Sequence, residues 1–198
     1  DILGKGKINL LEGRAMLDLD FRNDKKFPER GMRFFGEYVQ GLITNNDNSS
    51  YNKATGFIEF HATVPLKLPL FLGLKGGGAI SSGDIPFYKL LSIGQNNYLR
   101  GYRKNRFAGK SMAFFNSDLK LQVLDIITPI VPVKFGIRGF YDLGKVYVDK
   151  ETSQTLHMGY GGGIYLIPLE KAYSLSLNMA FSEDEKSGLL VFEFGITF

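Results

Sequence analysis

Apolar and polar residues alternate with a period of two along most of the chain. The last ten residues carry the clearest example, in which Leu190, Phe192 and Phe194 alternate with Val191 and Glu193. Successive side chains of a β-strand point to opposite faces of the sheet, whereas a helix needs a period near 3.6. The pattern therefore predicts strands with one apolar face and one polar face.

Eight or nine segments follow this pattern or a looser form of it. Most of them are longer than the roughly five or six residues that are typical of soluble strands. Their length is close to the roughly 9 to 11 residues that a tilted strand needs to cross a bilayer. The predicted strands lie at about residues 17–21, 31–43, 53–67, 69–82, 111–124, 132–148, 155–167, 173–181 and 189–198.

The residue types on the two faces favour a membrane protein. The polar face carries Asp, Arg, Glu, Asn, Ser, Thr and Gly, which suit a water-filled lumen better than a dry core. Aromatic residues near the predicted strand ends suit the girdles that barrels place at membrane surfaces. These aromatic residues are Phe34, Phe35, Tyr38, Phe114, Phe115, Tyr147, Tyr165 and Tyr173. The chain is therefore predicted to be all-β, as a transmembrane antiparallel up-and-down β-barrel, and a soluble sandwich or ligand-binding barrel is the alternative.

The connections between predicted strands are of two kinds. Short or proline-marked turns lie at 125–132 and 168–171, whereas polar, longer loops lie at 45–50, 85–110 and 149–154. Outer-membrane barrels alternate tight periplasmic turns with longer external loops in this way. No repeat or low-complexity segment divides the chain, so residues 1–198 are predicted to form one barrel domain.

Composition removes most kinds of catalytic chemistry. The 198 residues include no Cys and only two His, and neither His61 nor His157 has a second ligand at a metal-binding spacing. The glycine runs at 76–78 and 161–163 are not followed by Lys-Ser or Lys-Thr, as a phosphate loop would require. The net charge of +4 comes from scattered residues rather than a basic run. The sequence thus predicts no catalytic residue, no metal, no cofactor and no nucleic-acid partner.

One long connection contains a candidate ion pair. Residues 85–110 include Arg100, which is followed by Gly101 and Tyr102, so that the backbone can approach a wall closely at this point. If the loop folds into the lumen, Arg100 can form a bidentate pair with an acidic residue, and Asp142 is the obvious candidate. The alternative is an external loop whose charges are solvated.

Several short motifs occur in an order that resembles a known family. The motifs are Pro28–Gly31, Pro86–Tyr88, Gly94, Leu99–Tyr102, Asn116–Lys120, Phe140–Gly144 and the terminal Phe194–Phe198. This series resembles the carboxy-terminal barrel half of the bacterial surface antigen superfamily, which includes the BamA- and TamA-like outer-membrane assembly and translocation factors.

The resemblance implies roles for individual residues. The loop motif of Leu99, Arg100, Gly101 and Tyr102 would form the tip of a loop folded into the lumen. The inner-wall partners of this tip would be Asp142, Gly144, Asp118 and Lys120. The terminal strand would carry an insertion signal that includes Phe194, Gly195, Ile196 and Phe198.

The resemblance also implies a function and a location. The chain would be part of a bacterial outer-membrane barrel that inserts or translocates polypeptides, without enzymatic activity. Its partners would be outer-membrane lipid, client outer-membrane or secreted polypeptides, and accessory lipoproteins. Family barrels have about twice as many strands, so these residues are expected to be the carboxy-terminal portion of a longer chain, and a seam between the first and last strands is the proposed working part. The alternative function is a barrel that anchors or exports a fused amino-terminal enzyme, such as a lipase or phosphoesterase.

Overall fold

A computed structural model describes residues 9–44, 49–94, 98–126, 132–148, 155–169, 171–184 and 188–194. Among these residues, eleven strands and two short 3₁₀ helices form, and the helices are Phe87–Lys89 and Lys171–Tyr173. No helix in these ranges is long and apolar enough to cross a membrane. The strands are β1 (Leu10–Asp20), β2 (Gly31–Ile43), β3 (Ser50–Val64), β4 (Leu70–Gly83), β5 (Leu91–Ile93), β6 (Phe107–Gly109), β7 (Ser111–Ile126), β8 (Val133–Tyr147), β9 (His157–Pro168), β10 (Leu175–Ser182) and β11 (Leu189–Phe194).

Nine of the strands in the described ranges form one antiparallel sheet in the order β1-β2-β3-β4-β7-β8-β9-β10-β11. Each sheet strand pairs with its neighbours in this order, so the all-β, up-and-down prediction is confirmed. Within the described residues, no pairing joins β1 to β11, and the sheet is open. The small hairpin of β5 and β6 was not predicted, and it lies inside the long connection between β4 and β7.

The two faces of the sheet differ in chemistry. On the outer face, large apolar side chains stand exposed, as at Leu119 on β7 and Ile137 on β8. On the inner face, polar and charged side chains are buried, as at Asn116, Asp118 and Asp142. The period of two thus separates an apolar outside from a polar inside, which is the arrangement of a membrane-spanning barrel wall.

Three of the predicted girdle aromatics face inward instead. Phe114 and Tyr165 are 5% and 1% exposed, and Phe35 stacks on Phe57 with ring centroids 4.8 Å apart. Phe114 lies two residues from the inward-facing Asn116, so the strand period turns it to the interior. The remaining predicted girdle residues Phe34, Tyr38, Phe115, Tyr147 and Tyr173 are exposed.

The interior of the sheet is filled near both strand ends. One buried apolar cluster includes Ile93, Leu99 and Tyr102 from the connection 84–110. A second cluster is formed by Phe27 from the β1–β2 connection together with Phe71, Tyr165 and Ile167. Segments that connect strands therefore fold back against the inner face at opposite ends of the sheet.

Leu119 tests the assignment of the outer face, because it lies near the middle of β7 and is 50% exposed. Leu119→Arg is expected to lower the free energy of unfolding by about 2–4 kcal/mol, because the charge would lie in hydrocarbon. Leu119→Ile is expected to cost less than about 1.5 kcal/mol. Urea titration of protein folded into phospholipid vesicles measures both costs. Equal costs for the two variants would contradict the assignment.

Candidate functional site

The candidate site is formed where the connection 84–110 folds against the inner face of the sheet. Its tip runs from Tyr98 to Tyr102, and Leu99 and Tyr102 are fully buried there. Leu99 packs with Ile93 in the cluster described above. The tip motif thus packs against the inner face of the sheet, where it contacts residues of β7, β8 and β9.

Arg100 contacts Asp142 through three hydrogen bonds. The guanidinium donates to the two carboxylate oxygens of Asp142 from Nε at 2.7 Å and from Nη2 at 2.6 Å. The backbone N–H of Arg100 donates to Oδ2 of the same carboxylate at 2.9 Å. Bidentate pairing of this kind fixes the orientation of the guanidinium as well as its position. Both side chains are buried, so little solvent screens the pair.

Asp118 links Arg100 to a second arginine. Nη1 of Arg100 donates to Asp118 Oδ2 at 3.1 Å, and Arg138 donates to the same carboxylate from Nε at 2.5 Å and from Nη2 at 2.9 Å. Arg138 also pairs with Glu193 on β11, which accepts a hydrogen bond from Ser176 Oγ at 3.0 Å. A continuous chain of charges thus runs from the loop tip to the last strand.

Lys120 lies beside this chain rather than in contact with Arg100. It is buried on the inner face of β7, and its Nζ lies 5.1 Å from the centroid of the Phe27 ring. Three cations and three anions stand together here, so the cluster is balanced in charge. The cations are Arg100, Lys120 and Arg138, and the anions are Asp118, Asp142 and Glu193.

Three glycines make room for the tip. Gly101 has φ +92°, and a Cβ there would lie 2.2 Å from the carbonyl oxygen of Phe181. A Cβ at Gly159 on β9 would lie 1.8 Å from the carbonyl oxygen of Arg100. A Cβ at Gly144 would meet Ile93 at 2.8 Å and Leu99 at 3.4 Å. The close approach of loop and wall therefore depends on glycine on both sides.

Tyr102 connects the tip to residues at the adjacent ends of β9 and β10. Its hydroxyl donates to Asp184 Oδ2 at 3.0 Å, and the same oxygen lies 2.9 Å from Nδ1 of His157. The His157 ring also stacks on Phe107, with centroids 3.7 Å apart. Burial and the hydrogen bond to Asp184 raise the pKa of Tyr102 to about 12. The hydrogen bonds from His157 and Tyr102 lower the pKa of Asp184.

Sequence reasoning missed a second charged cluster on the inner face. Glu59 on β3 is buried, with its oxygens 2.9 Å from Nη1 of Arg22 and 3.1 Å from Nζ of Lys75. His61 lies two residues along β3, with Nε2 3.8 Å from Glu59. The available signal was the alternation of Glu59 and His61 with the outward-facing Phe60. The register of β3 and β4 sets Lys75 opposite Glu59, whereas Arg22 reaches Glu59 from the connection between β1 and β2.

The terminal strand is only partly described. Phe194 is 76% exposed on the outer face, and Gly195, Ile196 and Phe198 lie outside the described residues. Across the described part of the chain, no three His, Asp or Glu side chains are grouped in a way that could hold a metal ion.

The fold and the site together define a class of protein. A sheet that is apolar outside and charged inside, with a long loop packed against its inner face, is the wall of a transmembrane β-barrel. The sequence matches the family model of the Omp85 superfamily domain over residues 3–198, and the chain belongs to this superfamily, as the motif resemblance predicted. No curated protein matches the chain.

Membership of the superfamily carries general consequences. It implies a place in the bacterial outer membrane and a part in the insertion or translocation of outer-membrane proteins. Proteins of this superfamily are assembly and translocation factors rather than enzymes. They interact in general with outer-membrane substrates and with lipoproteins.

Gly159→Ala is expected to displace the loop tip, because the new Cβ would overlap the carbonyl oxygen of Arg100. A loss of about 1–3 kcal/mol in the free energy of unfolding and faster proteolysis of the connection 84–110 are expected. Gly139→Ala on β8 is the matched control, since its Cβ would meet nothing closer than 3.9 Å. Equal proteolysis of the two variants would show that the tip does not pack at Gly159.

The raised pKa of Tyr102 predicts alkaline release of the tip. A pKa above the ordinary value of 10.0 stabilises the folded state below pH 10, and this contribution is lost as the pH rises through about 12. Tyr102→Phe keeps the ring and removes the titrating hydroxyl, so its stability is expected to fall less over this range. Urea titrations of both proteins between pH 9 and about 12 measure the difference. Parallel curves would contradict the role of this hydroxyl.

Proposed function

We propose that the chain forms the part of an outer-membrane barrel that inserts or translocates client polypeptides, with the Leu99–Tyr102 tip as a clamp inside the lumen. The observation that carries the proposal is the chain of charges that joins Arg100 to Glu193 on β11. The clamp acts without covalent chemistry. It sets the position of the last strand, where a client strand can pair.

The first step of the mechanism is the anchoring of the loop. Arg100 bonds to Asp142 on β8 and to Asp118 on β7, so one guanidinium holds two neighbouring strands. Withdrawal of the tip would leave two buried carboxylates without this partner, which is costly in a medium of low dielectric constant. The tip therefore stays inserted while the wall keeps its shape.

The second step is the coupling of the loop to the edge of the sheet. Asp118 is shared by Arg100 and Arg138, and Arg138 also holds Glu193. A displacement of Arg100 therefore changes the charges that surround Asp118. Arg138 carries the effect to Glu193 on β11, because it contacts both carboxylates. In the described residues, β11 pairs only with β10.

The third step is recognition of the client. An edge strand presents unpaired backbone N–H and C=O groups, and an extended client segment can add to it by backbone hydrogen bonds. Such pairing needs little sequence specificity, which suits a factor that serves many polypeptides. The terminal residues Phe194, Gly195, Ile196 and Phe198 are proposed as the signal by which this barrel is itself inserted, with accessory lipoproteins as partners.

Loss of the Arg100 guanidinium tests the clamp. Arg100→Ala and Asp142→Asn are each expected to lower the free energy of unfolding by about 3–5 kcal/mol, because each leaves a buried group without its partner. Arg100→Lys is expected to fall between wild type and Arg100→Ala, since it keeps the charge without the fork. Heat-modifiable mobility reports folding, and the amount of client barrels in the outer membrane reports function.

Arg103→Ala is the matched control, because Arg103 lies in the same connection and is exposed. Combining Arg100→Asp with Asp142→Arg is expected to recover only part of the loss, because Asp118 would face the new carboxylate. If the Arg100 and Asp142 variants fold and assemble clients as well as the control, the clamp is wrong. Normal client barrels with loss of a fused module from the cell surface would favour the anchor or exporter function.

A further inference from the structure

Exposed cations and exposed leucines lie together at the end of the sheet opposite the connection 84–110. We call this region the short-turn end and define it by the connections 21–30 and 65–69. In the second connection, Leu66 is 57% and Leu68 is 42% exposed, and they flank the exposed Lys67. Proline stands on either side, at positions 65 and 69, and restricts the backbone that carries the leucines.

The two connections are neighbours in space. Thr63 at the end of β3 donates from Oγ1 to the carbonyl oxygen of Glu29 at 2.8 Å. The register of β2 and β3 sets Gly31 opposite His61, so that the chain before β2 lies beside the chain after β3. Three further exposed cations stand in the first connection, and they are Lys25, Lys26 and Arg30.

The short-turn end carries an excess of positive charge. None of these four cations forms an ion pair with another residue in the described ranges. The acidic residues nearby are already engaged, since Glu29 pairs with Lys171 at 2.8 Å. Asp24 accepts hydrogen bonds from the backbone N–H groups of Lys26 and Phe27 at 2.7 and 2.8 Å.

The leucines continue the apolar outer face. Ile58, Phe60 and Val64 form an exposed row along β3, and Leu66 extends it past the end of the strand. A surface that is apolar toward the bilayer and cationic at its margin matches the boundary between acyl chains and headgroups. Continuity with the lipid-facing surface favours a lipid over a protein partner.

We propose that the short-turn end binds the headgroups of anionic phospholipids in the adjoining leaflet. Lys25, Lys26, Arg30 and Lys67 contact the phosphates, and Leu66 and Leu68 enter the apolar boundary beneath them. Such contacts fix the depth of β1 to β4 in the bilayer. They also make folding of the barrel sensitive to the charge of the membrane.

Binding of fluorescent phosphatidylglycerol and phosphatidylcholine to the full-length protein in detergent tests the proposal. The wild type is expected to prefer phosphatidylglycerol. The triple variant Lys25→Gln, Lys26→Gln and Lys67→Gln is expected to lose about tenfold or more of this preference, since each cation near a membrane surface contributes severalfold. Replacing Leu66 and Leu68 with Ser is expected to weaken the binding of both lipids.

The matched control is Arg103→Gln, Lys104→Gln and Arg106→Gln, which removes the same charge at the opposite end. It is expected to change the preference by less than about twofold. If the two triple variants lost the preference for phosphatidylglycerol equally, the preference would depend only on the net charge of the protein, and the proposal would be overturned. Absence of a preference in the wild type would also overturn it, and would point to a protein partner instead. No client polypeptide enters the measurement, so the result is independent of the proposed function.

Discussion

The buried guanidinium of Arg100 is the contact on which the arrangement of the interior depends. It meets the carboxylates of Asp142 and Asp118 on two neighbouring strands, and it brings a long external connection into the sheet. Two carboxylates and Arg138 could not be buried at this site without an opposite charge nearby. The wall strands carry three anions of this cluster and only two of its cations, and Arg100 of the loop supplies the third cation.

Glycine allows this contact to form. The carbonyl oxygen of Arg100 lies where a side chain at Gly159 would stand, and Gly101 adopts a backbone conformation that other residues disfavour. The same pair of devices, a charged anchor and close backbone approach, explains how a flexible connection can occupy one position. Phe27 fills the opposite end of the interior in a simpler way, by packing its ring against Phe71 and Tyr165.

The outer face obeys a different constraint. Its exposed leucine, isoleucine and phenylalanine side chains are stable only where hydrocarbon covers them. At the short-turn end, this apolar surface borders Lys67 and the cations of the connection 21–30. The surface therefore changes from apolar to charged within a few residues. A barrel of this kind is stabilised by ion pairs on its inner face and by the bilayer on its outer face.

Sequence alone located the nine long strands, because a period of two has one structural meaning over ten or more residues. The first strand was predicted to begin at residue 17 but begins at Leu10, and the short hairpin of β5 and β6 was missed. The strand predicted at about 31–43 agrees with the observed β2, and the alternation on β7 placed Asn116, Asp118 and Lys120 on the inner face. The candidate pairing of Arg100 with Asp142 came from two short motifs, and the structure has these side chains in contact. Only the tertiary structure decided the sharing of Asp118 with Arg138, the reach to Glu193, the inward turn of Tyr165 and the cluster around Glu59. Those features depend on strand register and on which connection folds inward, and a period of two contains no information about either.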